Sequence, residues 1–506
     1  MELLLGIDAG TTSIKAGLFT SDGKCLAVAR YEYQLDTPQP DRAELNPEIY
    51  WQACCAAVNQ AIQSAAIQPH QIIALSVSSQ GETIITLDKF GKPIYPALIW
   101  LDNRAVKEAE KLAGLFADDV YLTSGIPEVI PTWSACKILW IKENEPRVFS
   151  QAAKYLLVQD YLIYRLTGQF VTNASVACTS MLYDIVHDKW WQPVLAEIGI
   201  SEEQLPQIIP SGALVGEVSK EAAQQLNLSL STKVIAGGMD QCVGAIGAGN
   251  IQPGTISETT GAALVIQATI PAPDLDKSRV IPVYSHSIPK RYLFAPVCPT
   301  AGMAYKWFRD TFGQSEITLA QAQQVDPFEL LNQLAQEAPA GCDGLVMLPH
   351  LMGAFSPIPN PAARGTFFGF TLHHQRSHFA RAVLEGVAFL LKQNLERIEQ
   401  SGIAISEIRS TGGGARSALW NQIKANVCGL PIITLENEET ALLGNAILAG
   451  IASNVFPSVQ DGVDAMVKTK AKIQPNQDQE KYIQPYQIYR DVDETLRPVF
   501  IRSYKS

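Results

Sequence analysis

Charge is scarce in this chain of 506 residues: Asp, Glu, Lys and Arg make up only 18% of it. The 39 Lys and Arg fall short of the 50 Asp and Glu, so the net charge is −11. That balance excludes a general binder of nucleic acid or of anionic membrane, though not a local pocket for phosphate. No apolar run approaches the roughly 18 residues a spanning helix needs. The opening MELLLGIDAG has too short an apolar run for a secretion signal, and Glu2 stands where such a signal carries basic residues. The nine cysteines include the adjacent Cys54 and Cys55 but form no CxxC, which excludes a zinc module and argues against a disulfide framework. A reduced, cytoplasmic chain is expected. GxxxxGK[ST] is missing, as are HExxH and a GxGxxG with its acidic partner; a Walker A NTPase, a zincin and a Rossmann dinucleotide site are set aside. Low-complexity tracts and short-period repeats are lacking as well. What is abundant is apolar residue, 47% of the chain, enough for large cores. At roughly 100–200 residues per domain, the length suggests two to four domains.

The first hundred residues predict an α/β architecture with a mixed sheet. Leu3–Ile7, Ile14–Phe19 and Cys25–Tyr31 read as strands, with Asp22-Gly23 as a hairpin turn. Asn46-Pro47 supplies an N-cap and an N1 proline, and the apolar positions from Ile49 to Ala65 recur at helical spacing. Ile72–Val77 is a buried strand. Trp133–Glu143 and Ala152–Leu166 read as helices, and Lys233–Ala236 as a strand. The cluster Gly247-Ala248-Gly249-Asn250-Ile251-Gln252-Pro253-Gly254 marks a boundary. Beyond it a strand, a Thr/Gly turn and a strand recur over 255–267, echoing Asp8–Lys15 and suggesting two related halves. The expected division is 1–250, 251–456 and a tail, 457–506, packed on the second domain, where periodicity fades.

Three glycine-bearing turns suit a phosphate chain. In the first, Gly10 permits close backbone approach, Thr11, Thr12 and Ser13 offer N–H groups and hydroxyls, and Lys15 offers charge. Asp8, at the strand end, can hold Mg²⁺ through water. By itself the segment reads equally well as a polar β-turn. Thr260 and Gly261 form a second such turn. In the third, Gly413 and Gly414 follow a strand and Ser417 opens a helix, so a nucleoside can lie against backbone, or the glycines simply allow tight packing.

Acids and amides gather at strand ends. Asp240 follows Lys233–Ala236 and two glycines, the place of a functional carboxylate in an open α/β sheet; a plain Asx turn is the competing reading. Gln241 can bond hydroxyls. Gln80 and Glu82 end one strand, and Asp102 and Arg104 follow Ile99-Trp100-Leu101. Such a set suits a polyhydroxylated substrate, each buried hydroxyl needing a partner; for Arg104 alone a solvated loop charge is the simpler reading. His373, His374 and His378, with no HExxH and no acid nearby in sequence, read as flanking or capping the helix Ser377–Glu396. No transition metal is expected there. Trp190-Trp191 reads as packing.

In this order the elements resemble the FGGY family of carbohydrate kinases from Leu4 to about Gly450. Ser134–Asn144, with Lys137-x-x-Trp140, is similar to its first signature, apart from Thr132 at its start. Gly365–Phe370 through His378–Glu385 resembles the second. The resemblance implies two actin-like, RNase H-like domains around a central cleft, with ATP and Mg²⁺ as cofactors. It implies Asp240 as catalytic base and Asp8 as the Mg²⁺-linked acid. Gly10, Thr11, Thr12, Ser13, Lys15, Thr260, Gly261, Gly302, Gly413, Gly414 and Ser417 are implied to hold the nucleotide. Gln80, Glu82, Asp102, Arg104, Asp240 and Gln241 would face the substrate. Xylulokinases typically carry Gln-Met-His-Gly where this chain has Gln80-Gly81-Glu82-Thr83, which is closer to the glycerol kinase Gln-Arg-Glu-Thr with Gly81 in place of Arg. Gly302–Asp310 and the second signature look like the xylulokinase branch. The implied reaction is ATP-dependent phosphorylation of a terminal hydroxyl on a ketose or polyol, a pentulose such as xylulose first. The alternatives are a glycerol- or erythritol-type polyol kinase and a non-catalytic nucleotide-dependent sugar sensor. An actin-like ATPase without a sugar is the least suited. The partners implied are the sugar and ATP/ADP, with no nucleic acid and no membrane; a homodimer is the assembly considered.

Overall fold

The structure, a computed structural model, describes residues 2–273, 276 and 278–504. It divides into two compact units. The first comprises Met1–Ile251, Thr269–Leu293 and Glu439–Lys468, and the second Gln252–Ala268, Phe294–Glu438 and Thr469–Ser506. The expected contiguous division and this grouping differ in two segments, 269–293 and 439–468, both of which pack with the first unit.

In the first unit, strands β1 (Leu3–Ala9), β2 (Ser13–Phe19) and β3 (Cys25–Glu32) form the expected meander, and helix α1 (Pro47–Ala65) starts at the Asn46 cap, whose carboxamide oxygen accepts from the Glu48 amide. Strand β4 (Ile72–Ser79), helix α2 (Ser134–Asn144), strands β5 (Leu214–Glu217) and β6 (Lys233–Met239), and helix α3 (Asp240–Gly247) complete the frame. The sheet runs β5-β6-β4-β1-β2-β3; β6, β4 and β1 are mutually parallel and the outer pairings antiparallel. Side chains alternate across β1. Leu3, Leu5 and Ile7 join a core with Tyr50, Val58 and Ile62 of α1, while Leu4 joins another with Val243, Ile246 and Leu443. The apolar helix Thr440–Ala452 covers that second face so closely that a Cβ on Gly6 would sit 2.2 Å from the Leu442 carbonyl oxygen. This approach explains why 439–468 belongs to the first unit.

The second unit repeats the plan. Strands β7 (Thr255–Thr260) and β8 (Leu264–Ile270) form a hairpin. They are followed by helices α4 (Gly302–Phe312), α5 (Pro327–Gln336) and α6 (Arg376–Gln400), strand β9 (Glu407–Thr411), helix α7 (Ala418–Cys428) and strand β10 (Ile432–Leu435). Strand β11 (Thr469–Ile473) and helix α8 (Ile483–Tyr504) end the chain. Strands β10, β9 and β7 are parallel, and antiparallel β8 and β11 flank them, giving the order β8-β7-β9-β10-β11. The pairing β1-turn-β2 beside parallel β4 thus recurs as β7-turn-β8 beside parallel β9, the structural form of the echo read in the sequence.

Two sequence expectations need correction. Ala152–Leu166 is not one helix: Lys154–Leu156 is a strand paired with Ile85–Leu87, and a helix begins only at Val158. The Asp160 carboxylate accepts from the Leu157 amide at 3.0 Å and so starts that helix. Nor does periodicity fade throughout the segment from Pro457. That segment supplies an edge strand, β11, and a 22-residue helix, α8, which buries Tyr486, Tyr489, Val492 and Phe500. The helix's buried positions Tyr486, Tyr489 and Asp493 follow helical spacing. No helix of the described residues is long and apolar enough to cross a membrane.

Candidate active site

In the first unit the acidic groups converge at the C-terminal ends of the parallel strands. Asp8 lies near the end of β1, in register with Ser78 of β4 and Lys15 of β2. The Ser78 hydroxyl donates to Asp8 Oδ1 at 2.6 Å. Burial raises the Asp8 pKa; Ser78 and then Lys15 oppose that rise, and Glu439 adds to it. Lys15 is itself paired, its Nζ lying 2.6 Å from Glu439 Oε2.

Asp240 opens α3 directly after β6. Glycine is required just before it. A Cβ on Gly237 would sit 2.0 Å from the Val77 carbonyl oxygen, and the β6–β4 register slips between Ala236 and Gly238. A Cβ on Gly238 would meet the Ser287 hydroxyl at 2.1 Å. Asp240 Oδ1 accepts from the Gln241 amide at 2.6 Å. Burial holds Asp240 well above the ordinary carboxylate range, the charge of Asp8 adds to this, and Glu82 contributes further. The structure therefore brings both Asp8 and Glu82 within electrostatic reach of Asp240.

Glu82 has a left-handed backbone, φ +58°, a conformation uncommon for a non-glycine residue. Three groups hold it. Its amide donates to Thr179 Oγ1 at 3.2 Å, and its carbonyl accepts from Ser134 Oγ at 3.0 Å and from Lys137 Nζ at 3.3 Å. Burial raises the Glu82 carboxyl and depresses the Lys137 ammonium, each partly restored by the other's charge. Lys137 also donates to the Ile99 carbonyl at 2.7 Å, so one fully buried cation ties the loop after β4 to the loop bearing Asp102. Gly81 has its own reason: a Cβ there would meet Thr179 Oγ1 at 2.5 Å, which leaves no room for arginine.

Other candidates are committed to protein partners. The Gln80 amide is shared between Thr11 Oγ1, which donates to it at 2.8 Å, and the Tyr50 hydroxyl at 3.0 Å. The Thr11 proton is thereby used, and Trp100 Nε1 donates to the same oxygen at 2.9 Å. Thr12 is exposed and Ser13 buried, while the Gly10 amide closes the turn on the Ser13 carbonyl at 3.0 Å. Arg104 is no solvated loop charge: its guanidinium is buried, bonds Asp102 from both Nε and Nη2, pairs with Glu44 and lies 4.9 Å from the Trp140 ring. Among the described residues its Nη1 has no hydrogen-bond partner. Gln241 is half-buried beside Asp240. Sequence reasoning missed Tyr284, which lies close enough to Glu82 and Asp240 for their charges to raise its hydroxyl pKa further after burial. It arrives from segment 269–293, where no local pattern marked it.

In the second unit a cavity of about 900 Å³ brings Thr260, Gly261, Gly302, Gly413, Gly414 and Ser417 together. Gly302 starts α4 and its amide donates to the Gly261 carbonyl at 2.9 Å, an approach a Cβ would block at 2.4 Å. Gly413 has open space where its Cβ would stand. The Ser417 hydroxyl caps α7 by accepting from the Trp420 amide at 3.2 Å. The walls are aromatic: Tyr305 stacks on Phe328 at 5.6 Å and tilts against Trp420 at 5.8 Å. Phe328 and Asn332, both on α5, were not singled out in the sequence; the i, i+4 pairing of an aromatic and an amide on one helix face is the signal that was there.

The histidine expectation needs a corrected premise. Asp343 brings a carboxylate to the cluster, 3.3 Å from His378 Nε2 and 3.4 Å from His373 Nε2. His378 Nδ1 accepts from the Gln375 amide at 3.1 Å, which leaves its proton on Nε2 facing Asp343. His374 accepts from the Thr371 amide at 2.9 Å and turns Nε2 to the Cys342 carbonyl at 3.1 Å. These two rings thus organise the start of α6, in keeping with the capping role read from the sequence.

Comparison with known proteins accords with this geometry. Residues 3–247 match the N-terminal domain of the FGGY family of carbohydrate kinases and residues 256–453 its C-terminal domain. The chain is 30% identical over 493 residues to a xylulose kinase of Bacillus subtilis (strain 168), covering 97% of each, and 31% identical over 501 residues to a gluconokinase of the same organism, covering 98% of this chain and 94% of that one. Its fold superposes on a ligand-bound xylulose kinase from Lactobacillus acidophilus with a TM-score of 0.88 at 28% identity, covering 98% of both chains. The chain belongs to the FGGY family of carbohydrate kinases.

Proposed function

We propose that this carbohydrate kinase transfers the γ-phosphoryl group of ATP to a terminal hydroxyl of an uncharged ketose, a pentulose such as xylulose being the best fit. The observation that carries the reading is the grouping of Asp240 with Asp8 and Glu82 at the strand ends. Asp240 takes the proton of the acceptor hydroxyl as its oxygen attacks phosphorus in line, and ADP departs with the electrons of the broken P–O bond. Position matters more than basicity in such a transfer, and the Gln241 amide and the glycines before Asp240 fix its place. A carboxylate is a hard oxygen donor that suits Mg²⁺: Asp8 would hold the ion through water, where it would supply neutralising charge to the phosphate chain. The aromatic cavity of the second unit would take the nucleoside.

Identity does not choose between a neutral ketose and an aldonate, since both kinds of relative stand near 30%. The charges do. A substrate carboxylate would face three acids, while the nearby cations are engaged: Lys137 by two carbonyls and Arg104 by two carboxylates. Like charges so placed disfavour binding. We therefore expect kcat/KM for D-xylulose to exceed that for D-gluconate by more than about a hundredfold in a coupled assay of ADP release. Gluconate turnover equal to xylulose turnover would reject the neutral-substrate reading. A polyol kinase is the second reading, favoured by Glu82 and Thr83 in the sugar loop; glycerol and erythritol in the same panel decide it.

The nucleotide assignment has its own test. Gly302→Ala forces the turn at Gly261 apart, and we expect ADP affinity to fall by about tenfold or more in calorimetry, with sugar affinity held within about twofold. Unchanged ADP affinity would place the nucleotide elsewhere.

A further inference from the structure

Beneath the Thr260-Gly261 turn lies an ion pair withdrawn entirely from solvent. Lys424 of α7 and Glu258 of β7 both have side chains 0% exposed, with Nζ 2.6 Å from Oε1. Lys424 Nζ also donates to Thr260 Oγ1 at 2.8 Å and lies 5.2 Å from the centre of the Trp420 ring. Thr260 Oγ1 donates in turn to Glu258 Oε2 at 2.7 Å, and the Ser410 hydroxyl donates to Glu258 Oε1. The single proton of Thr260 is therefore spent inside the protein, and its hydroxyl oxygen is engaged by Lys424. What Thr260 offers instead is a fixed position. A Cβ on Gly414 would stand 2.6 Å from its side chain, and one on Gly412 would stand 3.0 Å from its carbonyl oxygen. The turn after β7 and the glycine run after β9 are thus both seated against Thr260, and Thr260 is held by Lys424. The same lysine backs Trp420, a wall of the nucleoside cavity.

Burying two charges is costly, and a hydrophobic pair of similar volume often serves stability as well. A buried pair retained at this point is accounted for by what it orients. We infer that Lys424, with Glu258, is a positioning residue for the nucleotide's phosphate chain: it locks Thr260, and through Thr260 it sets the spacing of the two glycine turns. This rests on the nucleotide reading proposed above. It assigns Lys424 no contact with ATP.

The test is binding of adenosine and of ADP with Mg²⁺, followed by calorimetry, to the wild-type chain and to Lys424→Met/Glu258→Gln, which removes both charges and leaves neither buried alone. We expect ADP to bind about tenfold or more weakly to the variant, adenosine to stay within about twofold, and the KM for sugar to hold while the KM for ATP rises. Equal loss for adenosine and ADP would mean a loosened fold only and would overturn the inference, as would unchanged ADP affinity. Should the double variant not fold, Thr260→Val takes its place: it deletes the locked hydroxyl at nearly constant shape, and the same selective loss for ADP is expected, wild-type ADP affinity being the contrary result. If the wild-type chain binds neither ligand, the nucleotide reading itself fails and this inference falls with it.

Discussion

Asp240→Asn should lower kcat by about 10²–10⁴-fold, the usual worth of a positioned base, and at the same time raise the melting temperature of the ligand-free protein by a few degrees. The two effects have one cause. Burial and the neighbouring Asp8 and Glu82 hold the Asp240 pKa well above its value of 3.8 in an unfolded chain. Between that value and the raised one the folded state binds more protons than the unfolded state, so stability falls as pH rises through the window, and the cost is complete only above the raised pKa. Asparagine carries no charge to desolvate, so the variant is relieved of it. The gain in melting temperature should therefore shrink as pH falls to 3.8 and below, where the wild-type carboxyl becomes protonated in both states. The wild-type rate should fall on acidification with an apparent pKa above the ordinary carboxylate range, since a protonated Asp240 accepts nothing. A variant with near wild-type kcat, or one that melts lower at neutral pH, would remove Asp240 from the role of base.

Lys137→Met should separate the sugar from the nucleotide. The ammonium is fully buried and bonds the Glu82 and Ile99 carbonyls, so it links the two loops that carry Glu82, Asp102 and Arg104. Removing it strips two carbonyls of a partner, at about 1–3 kcal/mol for each group left unsatisfied. Relief of the lysine's own desolvation, which already depresses its pKa, offsets part of that loss. The larger consequence is local. Glu82 keeps its left-handed backbone only while Thr179, Ser134 and Lys137 hold it, and a strained conformation persists only where its surroundings impose it. We expect the KM for sugar to rise by about tenfold or more, with ADP affinity unchanged in the same preparation. A KM for sugar equal to wild type would show that Lys137 serves packing alone.

These residues also mark where sequence reading succeeds and where it stops. The β1-turn-β2 unit was legible because its signals are local: a short apolar strand, a Thr/Gly turn, a second strand. The same held for the Asn46-Pro47 helix start and for Gly237-Gly238-Met239-Asp240, where two glycines end a buried strand and an acid follows. What is set by distant partners was not legible. Lys137 lies in a helix that the sequence marks only as a helix, and its two acceptors stand 38 and 55 residues away. Arg104 read as a loop charge because Glu44, 60 residues earlier, is invisible at that range. Asp343 reaches the histidines from a separate turn, and Lys424 finds Glu258 across 166 residues. Helix α8 was legible but passed over: its buried positions Tyr486, Tyr489 and Asp493 recur at helical spacing.

At the centre stands phosphoryl transfer from ATP to a sugar hydroxyl. It is tested most directly by ³¹P NMR of a mixture of ATP, Mg²⁺ and D-xylulose with the wild-type protein. The account predicts a sugar phosphomonoester formed one-for-one with ADP, and its loss in Asp240→Asn. ADP with inorganic phosphate and no phosphomonoester would describe an ATPase, and bound nucleotide without sugar-dependent turnover would describe a sensor; either result contradicts the account.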